Sequence, residues 1–233
     1  MSDETQENGF VPTDNATMEV VEKALFELWD VANQLSRIQP EKSPYYRVCI
    51  FGSARIEPKD RLYSDVRDLA RALAERGCDI VTGGGPGLMA AANEGERLGD
   101  PHDETRSIGV RVELPFEQGA NPFVEKLYRH RTFFTRLHQF VRLSSAFVIV
   151  GGGIGTLLEA TMVWQLLQVR HVSRVPLIFV GPQWRELLAW AEKHMLSEHN
   201  GFASAADLAI PTCVSNMSEV VAVLEPHIEA FRR

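Results

Sequence analysis

From Tyr46 onward, short apolar runs alternate with longer stretches of mixed polarity. YRVCIF (46–51), CDIVT (78–82), SIGVRVEL (107–114), AFVIV (146–150), VPLIFV (175–180) and LAIPTCV (208–214) read as strands. Between them apolar residues recur at intervals of three and four. That spacing predicts helices near 60–76, 87–98, 132–144, on to about 169, over 184–196 and from about 217. A Pro-containing loop is expected between the third strand and about residue 130. Strand–helix alternation of this kind implies an α/β fold, a doubly wound parallel sheet with right-handed crossovers and helices on both faces. AFVIV is apolar throughout, as expected of a strand covered on both faces.

The start of the chain is patterned differently. Residues 1–16 are acidic and polar, which predicts a disordered tail. Met18, Val21, Leu25, Leu28, Ala32 and Leu35 then step by three and four, predicting a helix over 17–40 with Thr17 at its cap and Pro40 at its end. The stripe reads as a helix packed on its own domain, with a partner-binding zipper as the alternative. Residues 41–233 read as a single domain, because no internal repeat or low-complexity linker interrupts them.

Composition narrows the function classes. The chain has 233 residues, 45% of them hydrophobic, with 31 acidic and 24 basic residues and a formal net charge of −7. That balance argues against nucleic acid or a membrane surface as partner. The three cysteines, Cys49, Cys78 and Cys213, are far apart and odd in number. They suit free thiols in a reducing compartment, neither disulfides nor a metal site. With an acidic, polar beginning and no apolar run near the ~20 residues that span a bilayer, a cytoplasmic location is expected.

The candidate chemistry lies in three strand–glycine–helix junctions: Gly52; Gly83–Gly85 with Gly87; and Gly151–Gly153 with Gly155. Free N–H groups at the positive end of a helix favour an anion, typically phosphate. Neither glycine-rich loop carries the lysine of a GxxxxGK[ST] loop, which argues against ATP or GTP hydrolysis. Gly85–Ala90 has the GxGxxA spacing of a dinucleotide loop but follows the second strand, and Glu113 as the ribose acid comes late. A nicotinamide cofactor is therefore a minor alternative, and no cofactor is expected. Thr156 and Glu159 also have the spacing of a helix capping box.

FGSAR (51–55), VTGGGPGLMAAANEG (81–95), FFTR (133–136) and GGGIGTLLE (151–159) resemble, in order and spacing, the LOG family in its longer bacterial branch. The resemblance covers roughly residues 46–195. It implies a Rossmann-like fold, at least a homodimer, and hydrolysis of the N-glycosidic bond of nucleoside 5′-monophosphates such as AMP or cytokinin ribotides. By the same resemblance Arg136 and Glu159 are the catalytic residues. Gly152, Gly153, Gly155 and Thr156 hold the phosphate, and Ser53, Gly84, Gly85 and Met89 line the nucleotide. Three positions depart from the family pattern: Gly151 replaces a proline, Leu137 a lysine and Leu158 an acid. They keep open a non-catalytic binder of a phosphorylated ligand, like the molybdenum-cofactor carriers or a nucleotide sensor. The apolar residues around 157–169 imply a helix buried on both faces, one on its own domain and the other against a partner subunit, with Trp164 as an interface anchor.

Overall fold

The computed structural model describes residues 14–35, 43–112, 119–196 and 201–233. Glu113 and residues 1–13 lie outside them. The chain divides into two compact units, 1–37 and 38–233. In the first, helix α1 spans Asp14–Leu35, so Thr17 lies inside the helix and does not cap it. Met18, Val21, Leu25 and Leu28 on α1 are exposed.

The second unit is built on a seven-stranded, wholly parallel sheet of β1 (Tyr46–Phe51), β2 (Cys78–Thr82), β3 (Ser107–Val112), β4 (Lys126–His130), β5 (Ala146–Ile149), β6 (Leu177–Val180) and β7 (Thr212–Val214). Their order across the sheet is β4-β3-β2-β1-β5-β6-β7. The chain runs outward from β1 to one edge, returns to β5 on the other side of β1, and runs outward again. The reversal between β1 and β5 is where open α/β sheets leave a crevice at their carboxyl ends.

Successive strand residues face opposite sides of the sheet, and two cores result. Val48 and Ile50 of β1 join Ile80, Val148 and Ile178 on one face. They pack against α2 (Arg61–Ala74), α3 (Leu88–Gly99) and α8 (Met217–Phe231). Cys49 and Phe51 join Val81, Ile149 and Phe179 on the other, beneath α4 (Phe133–Leu143), α5 (Ile154–Gln168) and α6 (Pro182–Met195). The helices form because their apolar residues recur along one side. In α2, for example, Tyr63, Val66, Leu69, Ala70 and Leu73 are all buried. The doubly wound α/β architecture expected from the alternation, and the Rossmann-like fold that the resemblance implies, are thus observed.

Two elements differ from the sequence expectation. β4 occupies the end of the segment read as a loop, pairing with β3 from Ile108↔Lys126 to Val112↔His130. Its sequence, KLYRH, is polar because it is an edge strand, exposed or half-buried along its length. The run read as a strand over 208–214 divides into a short helix, α7 (Ala205–Leu208), and β7, with Pro211 between them. All three cysteines are free, Cys49 and Cys78 being buried and Cys213 half-buried.

Candidate active site

Three loops meet at the carboxyl ends of β1, β2 and β5. The first ties the others together through its backbone. The Ser53 N–H donates to the Gly151 carbonyl at 3.0 Å, and the Ser53 carbonyl accepts the Leu88 N–H at 2.8 Å. Its hydroxyl accepts from the Arg55 N–H at 3.1 Å. Ser53 therefore acts here as a backbone strut, with its side chain turned to its own turn.

The second loop is buried and internally satisfied. The Gly84 N–H donates to Thr82 Oγ1 at 2.9 Å, and its carbonyl accepts from the Asn121 N–H at 2.9 Å. The amide of Gly84, expected to be bare, is thus already used. Behind it lies a polar network centred on Asn93, which is fully buried. Asn93 Oδ1 accepts from Thr82 Oγ1 at 2.7 Å and from Asn121 Nδ2 at 3.0 Å, and its Nδ2 donates to Ser107 Oγ at 2.8 Å. A second bond from Asn121 Nδ2 reaches the Gly85 carbonyl at 2.9 Å. A buried amide bonded through both its oxygen and its nitrogen specifies one loop conformation. Gly87 closes the loop at φ +69°, where a Cβ would lie 2.4 Å from the Ser53 carbonyl oxygen. Only glycine fits that position.

A cleft of about 970 Å³ opens beside this loop, lined by Gly83, Gly85, Met89, Arg111, Phe133 and Arg136 among others. Met89 packs against the loop: a Cβ on Gly83 would lie 2.6 Å from its sulfur, and one on Gly85 2.8 Å from its terminal methyl. Arg136 enters from the first turn of α4, whose start is capped by Thr132 Oγ1 accepting from the Thr135 N–H. The guanidinium is fixed by three contacts. Nε donates to the Val110 carbonyl at 2.9 Å, Nη1 donates to Glu159 Oε1 at 2.8 Å, and its carbon sits 4.8 Å over the Phe140 ring. Both side chains of this ion pair are close to nine-tenths buried. Burial pushes the Glu159 carboxyl upward from its usual range, and the Arg136 charge and hydrogen bond oppose that shift. Nearby, burial and Arg136 hold His130 below its ordinary value.

The third loop differs from the second. Helix α5 starts at Ile154 with Gly153 at its N-cap, three positions earlier than the capping-box reading requires. Thr156 lies in the first turn and Glu159 in the second, so no Thr156–Glu159 cap forms and Glu159 is left to Arg136. The first intrahelical bond runs from the Leu157 N–H to the Gly153 carbonyl at 2.9 Å. The N–H groups of Ile154, Gly155 and Thr156 precede it and have no carbonyl four residues back within the helix. Gly153 and Gly155 are exposed, and a Cβ on either would meet nothing within 4 Å. Gly152 is different: its N–H donates to Gln183 Oε1 at 3.2 Å, and a Cβ on it would strike Thr156 Oγ1 at 2.2 Å. Gly152 is therefore occupied by the protein itself.

The sequence-derived residues thus divide. Gly85, Met89 and Arg136 line the cleft, Glu159 is bonded to Arg136, and Gly153, Gly155 and Thr156 open α5 outside the cleft lining. Leu158 is exposed and Leu137 half-buried. Trp164 is engaged within its own chain, its Nε1 donating to the Asp207 carbonyl at 2.8 Å and its ring edge-on to Phe179. Only one side of α5 is buried, through Thr156, Glu159, Ala160, Val163 and Leu167. Sequence reasoning missed Asn93, Asn121 and Gln183; an asparagine inside the apolar run of VTGGGPGLMAAANEG was the available signal. Among the described residues no group of three or more His, Cys, Asp or Glu is placed to hold a metal ion. No helix among them is long and apolar enough to cross a membrane.

Comparison with known proteins bears on the family and the fold. Residues 89–224 match the family model described as "Possible lysine decarboxylase". A rice protein (Oryza sativa subsp. japonica) named as a probable cytokinin riboside 5′-monophosphate phosphoribohydrolase is 33% identical over 194 residues, 78% of this chain and 82% of that protein. A pyrimidine/purine nucleotide 5′-monophosphate nucleosidase of Escherichia coli K12 is 30% identical over 148 residues, 61% of this chain and 32% of that protein. Among solved structures, the molybdenum cofactor carrier protein of Chlamydomonas reinhardtii superposes with a TM-score of 0.57 at 17% identity, covering 80% of this chain and 99% of that one. This last likeness shows the fold alone. The sequence relatives carry the names of nucleotide 5′-monophosphate hydrolases, and the chain belongs to their family, the LOG family, whose model keeps the decarboxylase description.

Proposed function

We propose that the protein hydrolyses the N-glycosidic bond of nucleoside 5′-monophosphates, AMP or cytokinin ribotides, to a free base and ribose 5-phosphate. The observation that carries this reading is the buried Arg136–Glu159 pair between the cleft and the exposed start of α5. Breaking the bond from C1′ to the base nitrogen builds positive charge on the ribose as the bonding pair leaves with the base. A carboxylate held near that carbon stabilises the charge or orients the attacking water, as in glycosidases. Glu159 fills this role. Arg136 keeps Glu159 ionised against the pull of burial and offers its remaining donors to the substrate. The water oxygen bonds to C1′ and keeps one proton as the new hydroxyl, while its other proton passes to the nitrogen of the departing base.

The 5′-phosphate is received by the first-turn amides of α5 and by Thr156. Gly153 and Gly155 leave that approach unobstructed, as an anion at a helix N-terminus requires. Gly85 and Met89 line the nucleoside side of the cleft, with Ser53 and Gly84 holding the loops in place. Leu158, which removes one acid from the family pattern, favours a second reading as a non-catalytic binder of a phosphorylated ligand. The same helix also supports a homodimer, since Ile154 and Leu158 are exposed along α5 and Val169 at its C-cap. Sedimentation of the purified protein checks that point directly.

The enzymatic reading is tested by incubating the protein with a panel of nucleoside 5′-monophosphates and resolving the products chromatographically. Equimolar base and ribose 5-phosphate are expected, with release lost in Glu159→Gln. Tight calorimetric binding without turnover across the panel supports the binder in its place.

A further inference from the structure

We propose that Gln183, on α6, is a positioning residue for the anion-receiving turn that opens α5; this rests on the phosphate reading above. Its side-chain amide grips Gly152 at both ends. Oε1 accepts the Gly152 N–H at 3.2 Å, and Nε2 donates to the Gly152 carbonyl at 2.7 Å. The grip matters because the turn is Gly151-Gly152-Gly153, three residues that lose more freedom on ordering than any others. No side chain can be added at Gly152 to stiffen it, because Thr156 already occupies the space. The turn must therefore be held from outside.

Gln183 is well placed to do so. Pro182 precedes it at the start of α6, and Trp184 follows it, 1% exposed, with Nε1 donating to the Val150 carbonyl at 3.3 Å. Two consecutive residues of α6 thus hold positions 150 and 152 of the same junction, one through a buried indole and one through an exposed amide. The indole secures the strand end and is part of the core. The amide is exposed and contributes to no core, so its contribution is the conformation of the turn. Because it consumes the Gly152 N–H, the phosphate is left to the amides of Ile154, Gly155 and Thr156. Gln183 also lines a second cleft of about 760 Å³ with Gly151 and Gly181, and does not line the cleft holding Arg136. It therefore acts on the reaction only through the turn.

The test compares wild type with Gln183→Leu, which keeps the bulk and removes both hydrogen bonds, and with Gln183→Ala. KM for AMP and the inhibition constant of inorganic phosphate are expected to rise together, by about 3- to 10-fold, the scale of one or two net hydrogen bonds. The kcat stays within about twofold and the melting temperature is unchanged, while amide exchange quickens at 151–155. A wild type that hydrolyses AMP and is inhibited by phosphate, beside variants with the same two constants, overturns the role of Gln183 alone. Loss confined to kcat or to stability also overturns it. A wild type neither active on AMP nor inhibited by phosphate overturns both this inference and the function it rests on.

Discussion

The β2–α3 and β5–α5 junctions look alike in sequence, GGGPG against GGGIG, yet their glycines are needed for opposite reasons. In the first, the backbone is buried, the Gly84 amide and carbonyl are bonded, and Gly87 has a positive φ against the Ser53 carbonyl. There glycine is required by the protein's own packing. In the second, Gly153 and Gly155 face open space and the first-turn amides precede any intrahelical bond. No internal packing demands glycine at those two positions, which supports the proposed approach of a phosphate there. Glycine clusters become informative about binding only when the space a side chain would fill is known to be empty.

The largest effect that sharpens this contrast is on chemistry beside the open junction. Glu159→Gln should reduce kcat by about 10²- to 10⁴-fold, the range for one acid–base group, measured by initial rates of base release. Glutamine is preferable to alanine because its amide oxygen still accepts from Arg136 Nη1, whereas truncation removes both the acceptor and the side-chain volume beside a buried charge. Burial raises the Glu159 pKa in the fold, so its ionised form is lost on acidification at a higher pH than for an exposed glutamate. The rate should accordingly fall on the acid side above the ordinary carboxylate range, and Glu159→Gln should remove that limb.

The packed junction should break through stability instead. Gly87→Ala forces a side chain into a left-handed conformation and against backbone, and should cost on the order of 2–4 kcal/mol, read by urea denaturation. The helix that begins there carries a further signature at Glu96, almost wholly buried, whose pKa is pushed up to about 7 by burial and by the neighbouring Glu125 and Asp100. The Thr105 hydroxyl and Arg97 oppose that shift. Between the unfolded value near 4.5 and about 7 the folded state keeps a proton that the unfolded chain releases. The stabilisation is complete below about 4.5 and is lost as pH rises through 7, on the order of 1–3 kcal/mol. Melting curves from pH 5 to 8 should show this decline, and Glu96→Gln should flatten it.

The smallest effect is the counterpart to Gly87. Gly155→Ala meets no atom within 4 Å and lies in a helix. It should stabilise the fold by about 0.5–1 kcal/mol while weakening phosphate binding, because the new methyl stands in the anion's path. Calorimetry and a melting curve on one sample suffice. A variant that binds phosphate as well as wild type would erase the difference between the junctions.

Much of this arrangement was legible in the sequence because it is local. Strands such as AFVIV announce themselves by apolar continuity, and FFTR with GGGIGTLLE placed Arg136 and Glu159 on two helices that prove to meet. What escaped depends on contacts across the chain. β4 is polar because it borders the sheet, so its sequence carried no strand signal. The Gly84 amide counted as free until Thr82 and Asn93 were seen beneath it. Thr156–Glu159 had capping-box spacing, but α5 begins three residues earlier than that motif assumes. Gln183 had no signal at all, since its importance lies in a turn thirty-one residues away.

The most direct test is a crystal structure of Glu159→Gln soaked in AMP. The phosphate should sit within about 3 Å of the Ile154, Gly155 and Thr156 amides, with the ribose C1′ beside residue 159 and the base toward Met89. A phosphate seated on the Gly83–Gly85 loop, or an α5 turn left empty while AMP binds elsewhere, would contradict the account.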